Sequence, residues 1–445
     1  RGGHDRNDIQ RERPVPGTLA PRLGDPAPGG CVSSVGPEPD DGARFDAVFR
    51  FMVKLGVAAH DYGSSSARVE VFLTRLAEAL GYQGVFLSTP TQMVFAMNPE
   101  GQPQRQHVVR LPGTGLDLDK LAHVGEVVDD VVAGRRSYED ASAALDEIAA
   151  LPRPFGYAAQ AVSYALVGSG LAILFGASWV DTVVATALSV VVYGMVLGSA
   201  RFGAVGADWL PLTTALVAAF AAAALKVAFP AINLVIVVLC AVIVLVPGYS
   251  VSTGIIELVG RHVVSGLANL MTGLVCLAKQ ILGGLLGVGL ATWLLPVPSA
   301  PPAPAVPTTW LWLFMPFVIM GLVVIFQTPR RDFVTATVGS LLAFVAILLG
   351  SEMADANLGN LLGTVAAVAF ANLWASRTGR PTSIVLVPAI VLLVSGSIGF
   401  RGLAAIAQGD AAVGGSQFLQ MFVVAATIAA GLLVGNTLVR PRVRL

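Results

Sequence analysis

The stretch Leu245–Asn269, LVPGYSVSTGIIELVGRHVVSGLAN, decides how the rest of this chain is read. An apolar run ends there in Pro247-Gly248. Hydroxyls (Ser250, Ser252, Thr253), charge (Glu257, Arg261) and an amide (Asn269) follow before the chain turns apolar again. Polar side chains and irregular backbone are costly at membrane depth unless they are buried in protein or line a wet cavity. This break is therefore the first place to look for a transported solute.

Composition sets the environment in which the break is read. The 445 residues are 55% hydrophobic and only 13% charged, with a mean hydropathy of +0.72, against about 25% charged residues in soluble domains. The chain reads as an integral membrane protein. Its zero net charge hides an asymmetry, because residues up to Arg153 hold 16 Lys+Arg and 21 Asp+Glu while the remainder holds 12 and 7. A soluble acidic region precedes a sparsely charged, slightly basic membrane region. No apolar run long enough for a signal peptide precedes residue 158, so the first region is expected to stay on the cytoplasmic side. Cys31, Cys240 and Cys276 offer neither a disulfide framework nor zinc spacing, and no metal or other cofactor is expected.

Residues 1–42 are rich in Pro, Gly, Arg and Asp and are expected to form a disordered tail. A small cytosolic α+β domain is expected over 43–153. Val48, Phe49, Met52, Leu55 and Ala59 mark one face of a first helix. After His60-Asp61-Tyr62-Gly63, the serines Ser64–Ser66 read as the cap of a second helix that buries Val69, Phe72, Leu73, Leu76 and Leu80. Three short apolar runs, 84–87, 93–97 and 108–111, read as an antiparallel meander, and two helices follow over 117–132 and 138–150. His60, His107 and His123 have no partner at metal or triad spacing. The simplest reading of Asp61, Tyr62 and Ser64–Ser66 is a helix–helix turn and cap.

A spanning helix needs about 20 mostly apolar residues. Ten segments qualify or come close, near 157–177, 180–199, 210–229, 232–247, 264–294, 309–326, 333–350, 358–375, 383–398 and 417–439. With Arg153 inside, Arg201, Arg261, Arg330, Arg331, Arg377, Arg380, Arg440, Arg442 and Arg444 also fall inside, and only Lys226 and Arg401 fall outside. That bias predicts cytoplasmic termini.

The proline-rich linker PVPSAPPAPAVP, 296–307, divides the membrane part into five spans and five (154–295 and 309–445, with 296–308 as an extracytoplasmic linker). Sliding one half over the other by 148 residues pairs Val246 with Val394, Gly248 with Gly396, Gly254 with Gly402, Gly266 with Gly414, Gly283 with Gly431 and Gly287 with Gly435. Repeats with an odd number of spans lie in opposite orientations, as in many secondary transporters with interrupted helices at the midplane. The expected fold is mainly α, with ten transmembrane helices in two inverted five-helix repeats. The second interruption, VSGSIGFRG over 394–402, places Ser395-Gly396 where the first has Pro247-Gly248. Plain helix packing accounts equally for Gly283, Gly287, Gly431 and Gly435.

A domain containing YGSSSARVEVFLTRLAEALGY, then ten spans, with LVPGYSVSTGIIELVGRHVVSGLA after the fourth, resembles the threonine/serine exporter family from about residue 45 onward. The resemblance implies export of threonine and serine driven by the proton motive force. Two-chain relatives divided near the linker are associated with succinate export.

The residues themselves suggest roles. Backbone N–H groups near Ser250–Gly254 suit a carboxylate, and Ser252, Thr253 and Asn269 suit a polar side chain. Lys279 falls within a span and reads either as a substrate ligand paired with Glu257, Glu352 or Asp355, or as a snorkelling or structural cation. Glu257, Asp355 and Glu352 are the candidates for carrying protons in antiport by alternating access. For Glu352 and Asp355 the competing reading is a solvated loop end, and for Glu257 an interface pair with Arg261. The alternative function is export of a dicarboxylate such as succinate, or of another small solute. A third hypothesis, a soluble enzyme or binding module on a membrane anchor, finds no catalytic constellation here. The expected partners are a small amino acid, protons and the lipid bilayer, and not nucleic acid. The plan allows monomer or homo-oligomer, in the plasma (inner) membrane.

Overall fold

The computed structural model describes residues 41–99, 101–111, 115–393 and 395–441. Nearly all of the expected tail 1–42 lies outside these residues, as do Cys31, Val394, Arg442 and Arg444. The first helix, α1 (Asp41–Asp61), begins at the last two residues of that tail. No proline follows Pro39 to stop it there.

In the N-terminal part, α1 buries Val48, Phe49, Met52, Leu55 and Ala59 against the face of α2 (Ser66–Ala79) that carries Val69, Phe72, Leu73 and Leu76. The meander is β1 (Gln83–Ser88), β2 (Gln92–Asn98) and β3 (Arg105–Arg110), antiparallel in that order with Phe86 opposite Phe95. The fully buried Phe95 ring meets Phe86 edge-on, 6.0 Å between centroids. Next come α3 (Leu118–Val132) and α4 (Tyr138–Ala150). Asp117 Oδ1 caps the first by accepting from Lys120 N at 3.1 Å, and Ser137 Oγ caps the second by accepting from Asp140 N at 3.0 Å.

Twelve further helices make up the membrane part: α5 (Tyr157–Leu174), α6 (Trp179–Ser199), α7 (Gly203–Ala228), α8 (Leu234–Val242), α9 (Gly248–Val259), α10 (Val263–Leu294), α11 (Leu311–Ile325), α12 (Phe333–Met353), α13 (Ala356–Thr378), α14 (Ser383–Leu392), α15 (Ser395–Ala407) and α16 (Ala411–Leu438). Among the described residues, eight helical stretches are long and apolar enough to cross a membrane, and nine if the bent pair α8–α9 makes one span. Large apolar side chains such as Trp293, Val334 and Leu433 remain exposed on them. This is a multi-pass membrane protein. The count is lower than the ten segments read from hydropathy because Trp179–Ala228 scores as one stretch of 50 residues. A helix of that length would run about 75 Å, far beyond a hydrocarbon core of about 30 Å. Between α6 and α7 the α-helix is interrupted by a 3₁₀ turn at Ala200–Phe202 and by Gly203, whose φ of 56° is readily open only to glycine.

The glycines at the 148-residue offset occupy corresponding contacts. A Cβ on Gly254 would come within 2.9 Å of the Gly266 carbonyl oxygen, and one on Gly402 within 2.9 Å of the Gly414 carbonyl oxygen. Gly283 and Gly287 of α10 lie against α7 at Leu216 and Phe220. Gly431 and Gly435 of α16 lie against α13 at Thr364 and Val368, which are the residues 148 positions further on. The two break glycines meet each other, since a Cβ on Gly396 would sit 2.7 Å from Gly248 Cα.

From Phe45 onward the chain forms one unit. The N-terminal part is joined to the membrane helices by the first amides of α3, which donate to the carbonyls ending α11: Leu118 N to Phe326 O at 3.1 Å and Asp119 N to Gln327 O at 2.9 Å. Each helix end thereby satisfies the unpaired backbone groups of the other. The ion pair of Arg331 with Glu126 and the contact of His262 Nδ1 with Glu70 Oε2 (3.0 Å) add to the junction.

Candidate functional site

The site begins with the break. The apolar helix α8 tightens into a 3₁₀ turn at Ile243–Leu245, Pro247 lacks an N–H, and α9 restarts at Gly248 on an axis turned by 62°. Pro247, at the N-cap position, makes no side-chain cap bond. Beside it lies a cavity of about 380 Å³, walled by Val246–Ser250 and Thr253 of the break, Asn269, Thr272 and Cys276 of α10, Leu171 of α5, and Gly396 and Ser397 of α15.

Behind this wall sits Glu257, only 1% exposed. Its Oε2 accepts from Ser265 Oγ at 2.6 Å and from Asn269 Nδ2 at 2.8 Å, whereas Oε1 has no partner among the described residues. Asn269 thus touches both the cavity and the carboxylate. Tyr249, Thr253 and Glu257 are spaced i, i+4, i+8, so one face of α9 runs from the cavity to the acid. The expected surface pair with Arg261 does not form among the described residues. Arg261 stands exposed in the α9–α10 turn with a φ of 66°, and Glu257 points inward.

The residues singled out from sequence divide between wall, packing and periphery. Ser250, Thr253 and Asn269 line the cavity, with the break residues Pro247, Gly248 and Gly396. Ser252 is buried off the wall, and Gly254 makes the close approach of α9 to α10. Ser395 opens α15. Lys279 does not join the wall. Its Nζ donates to the Asp208 carbonyl at 3.0 Å, and no ion pair to Glu257, Glu352 or Asp355 forms among the described residues. Lys279 stands midway along α10, and its long stem carries the ammonium group to a backbone carbonyl in the first turns of α7. Glu352 is exposed. Asp355 is the N-cap of α13, where bonds from Leu358 N (2.9 Å) and Asn357 Nδ2 (3.1 Å) hold its carboxyl below the usual range.

Hydropathy and local motifs missed what closes the cavity. His60, Gly63, Ser64, Ser65 and Ser66, with Pro90, Gly115 and Leu116, all from the N-terminal part, form one side of it, and apolar side chains of the membrane helices, among them Val167, Leu322, Phe326 and Val391, fill in the rest. The serines stand where the helix cap is expected, but without its side-chain bond. Ser65 holds the N-cap position without a side-chain bond, and the Ser64 hydroxyl is buried with no partner among the described residues. Gly63, with φ of 101°, lets this turn press against Gly115 and Leu116. Arg68 of α2 lies near Tyr249 and makes no ion pair among the described residues, and burial pushes its pKa down. On the opposite side, one turn beyond the lining residues Leu171 and Ser397, the Arg401 guanidinium stacks 5.2 Å from the Phe175 ring.

Fold and site together define a multi-pass membrane protein with a cavity at an interrupted helix. The threonine/serine exporter family matches residues 50–292, and its second form, "Threonine/Serine exporter, ThrE", matches residues 311–438. The chain belongs to this family. An uncharacterized protein of Schizosaccharomyces pombe is 24% identical over 370 residues, covering 79% of this chain and 48% of that protein. Proteins named pheromone-regulated membrane protein 10 are similar over 55% of this chain. The one from Kluyveromyces lactis is 25% identical with 26% of its length covered, and the one from Eremothecium gossypii is 26% identical with 33% covered. The chain therefore spans at most about half the length of these relatives. No solved structure matches.

Proposed function

We propose that this chain is a secondary active exporter of small polar amino acids, threonine and serine, working by proton antiport and alternating access. The observation that carries this reading is the pairing of a largely apolar cavity, studded with hydroxyl and amide groups at the α8–α9 break, with a buried carboxylate one layer behind it, joined through Asn269. In this scheme the first-turn amides of α9 receive the substrate carboxylate, Ser250 and Thr253 contact its polar groups, and Glu257 takes and releases the proton. Protonation of Glu257 changes what Ser265 and Asn269 can donate to, and so biases which face of the transporter is open.

The proposed architecture is ten spans in two inverted repeats, with the N-terminal part and both termini in the cytoplasm of a plasma-membrane protein. The corresponding glycine contacts at the 148-residue offset, and the meeting of Gly248 with Gly396, support a pseudo-two-fold axis through the two breaks. In this frame the N-terminal turn covers the cytoplasmic end of the cavity, and the Arg401–Phe175 pair forms its extracytoplasmic floor.

The test is efflux of labelled threonine from inside-loaded proteoliposomes, with and without an imposed inward proton gradient, with succinate measured in parallel. Gradient-accelerated threonine efflux is expected. Succinate efflux without threonine efflux would overturn the amino-acid reading in favour of a dicarboxylate.

A further inference from the structure

The cavity wall draws on two parts of the chain that are far apart in sequence. One side is the α9–α10 region that hydropathy singles out, and the other is the turn between α1 and α2 of the N-terminal part. In that turn His60 is 1% and Ser64 4% exposed; the serine hydroxyl has no partner among the described residues, and the imidazole has the Pro90 carbonyl near it but no hydrogen bond of good geometry there. Of the cavity's lining residues, these two carry the buried unpartnered polar atoms. Leaving a buried polar group unpaired costs about 1–3 kcal/mol. Two such groups in one wall of a cavity are the mark of a site completed by something that enters it.

We infer that His60 and Ser64 complete the substrate site from the N-terminal part, and that they read the hydroxyl of the transported amino acid. The inference rests on the exporter reading above and names a specificity element within it. The chemistry fits a hydroxyl better than a charge. A serine hydroxyl and a neutral imidazole each offer one donor and acceptor capacity, which a substrate –OH can match, whereas the substrate carboxylate has the α9 amides on the other side. Burial lowers the pKa of His60, the nearby Pro90 carbonyl opposing this more weakly, so the ring is held in its neutral form. A site built to bond a hydroxyl rejects an isostere that lacks it, because the site's own groups are then left unpaired. Threonine and valine are such a pair.

The assignment also gives the N-terminal part a place in the transport cycle. Ser64 is at the wall because the turn is docked, with α2 tied to the α9–α10 turn by Glu70 and His262. A substrate in the cavity has its hydroxyl read only while the turn is seated.

The experiment is isothermal titration of threonine and of valine into the full chain in detergent micelles, for the unmodified protein, Ser64→Ala, His60→Ala and Ser64→Thr. Each variant is first checked for an unchanged unfolding transition. The unmodified chain should bind threonine at least about tenfold more tightly than valine, and Ser64→Ala should lose most of that preference by weakening threonine alone. Ser64→Thr, which keeps the hydroxyl, should retain it. If His60→Ala does not fold, the two Ser64 variants carry the test. Equal weakening of both ligands, or no change in either, would show that the turn has a structural role and would overturn the inference while leaving the exporter reading intact. Failure of the unmodified chain to bind threonine or serine at all would overturn both.

Discussion

Glu257 and Asp355 show how the surroundings of a carboxylate assign its work. Both are candidates by sequence for carrying a proton, but Asp355 is solvent-exposed and committed to capping α13, with a pKa held below the usual range by the Leu358 amide first and the Asn357 side chain second. Such an acid stays ionised near neutral pH and has no reason to exchange protons during transport. Glu257 is buried, keeps one oxygen without a partner among the described residues and shares Asn269 with the cavity. Glu257→Gln is therefore expected to retain the fold, at a cost below about 2 kcal/mol, because both bonds go to Oε2 and an amide oxygen placed there still accepts them, leaving the NH2 at the already unpartnered Oε1 position. It should also abolish acceleration of threonine efflux by an imposed proton gradient. Asp355→Ala should leave that acceleration unchanged. Proteoliposome efflux with and without the gradient reads both, and an Asp355→Ala protein that lost coupling would reverse the assignment.

At the scale of elements, the two broken helices meet at glycine. Any Cβ on Gly396 would press into the backbone of Gly248, which cannot yield as the tip of a flexible side chain can. Gly396→Ala should therefore force α8–α9 and α14–α15 apart and destabilise by about 1–3 kcal/mol, the usual cost of overpacking. A Cβ on Gly284 of α10 would meet nothing within 4 Å. Gly284→Ala should be neutral or stabilising by up to about 1 kcal/mol, since alanine is the better helix former. Thermal unfolding of the two variants in the same detergent checks the contrast, and equal behaviour would remove the close contact of the breaks as a structural constraint.

On the scale of the whole molecule, docking of the N-terminal part buries His60 and gives stability a pH dependence. Because its pKa is lowered in the folded chain, the unfolded chain binds more protons as the pH falls through the ordinary histidine range near 6.5. Stability contributed by neutral His60 is thus present above that range and is lost as the pH falls through it. Asp61, whose pKa is raised by burial, acts with the opposite sign, but in the range just above the ordinary carboxylate value. The Tm of the full chain should fall between pH 8 and pH 6 in the unmodified protein, and His60→Gln should flatten that slope. An unchanged slope in the variant would show that His60 is not a group coupling docking to protons.

Much of this organisation was legible in the chain. The long apolar runs, the proline-rich linker, the Pro247-Gly248 interruption and the glycine register follow from local composition and fixed spacing. Water, lipid and helix geometry act on every residue in the same way wherever it lies. The sequence alone determined that this is a multi-pass membrane protein with a polar break at Leu245–Asn269. Only the tertiary structure decided which groups share the cavity. By sequence Ser64–Ser66 read as a helix cap, Lys279 as either a ligand or a snorkelling or structural cation, and Glu257 as either a proton carrier or a partner of Arg261, because a local pattern reports what a side chain can do with its neighbours in the chain and not which of these it does. Ser64 and Thr253 are separated by almost two hundred residues and come together only through docking of the N-terminal part onto the membrane helices. That docking is set by helix-end amides, polar side-chain contacts and close-packed surfaces, none of which leaves a periodic trace in the sequence.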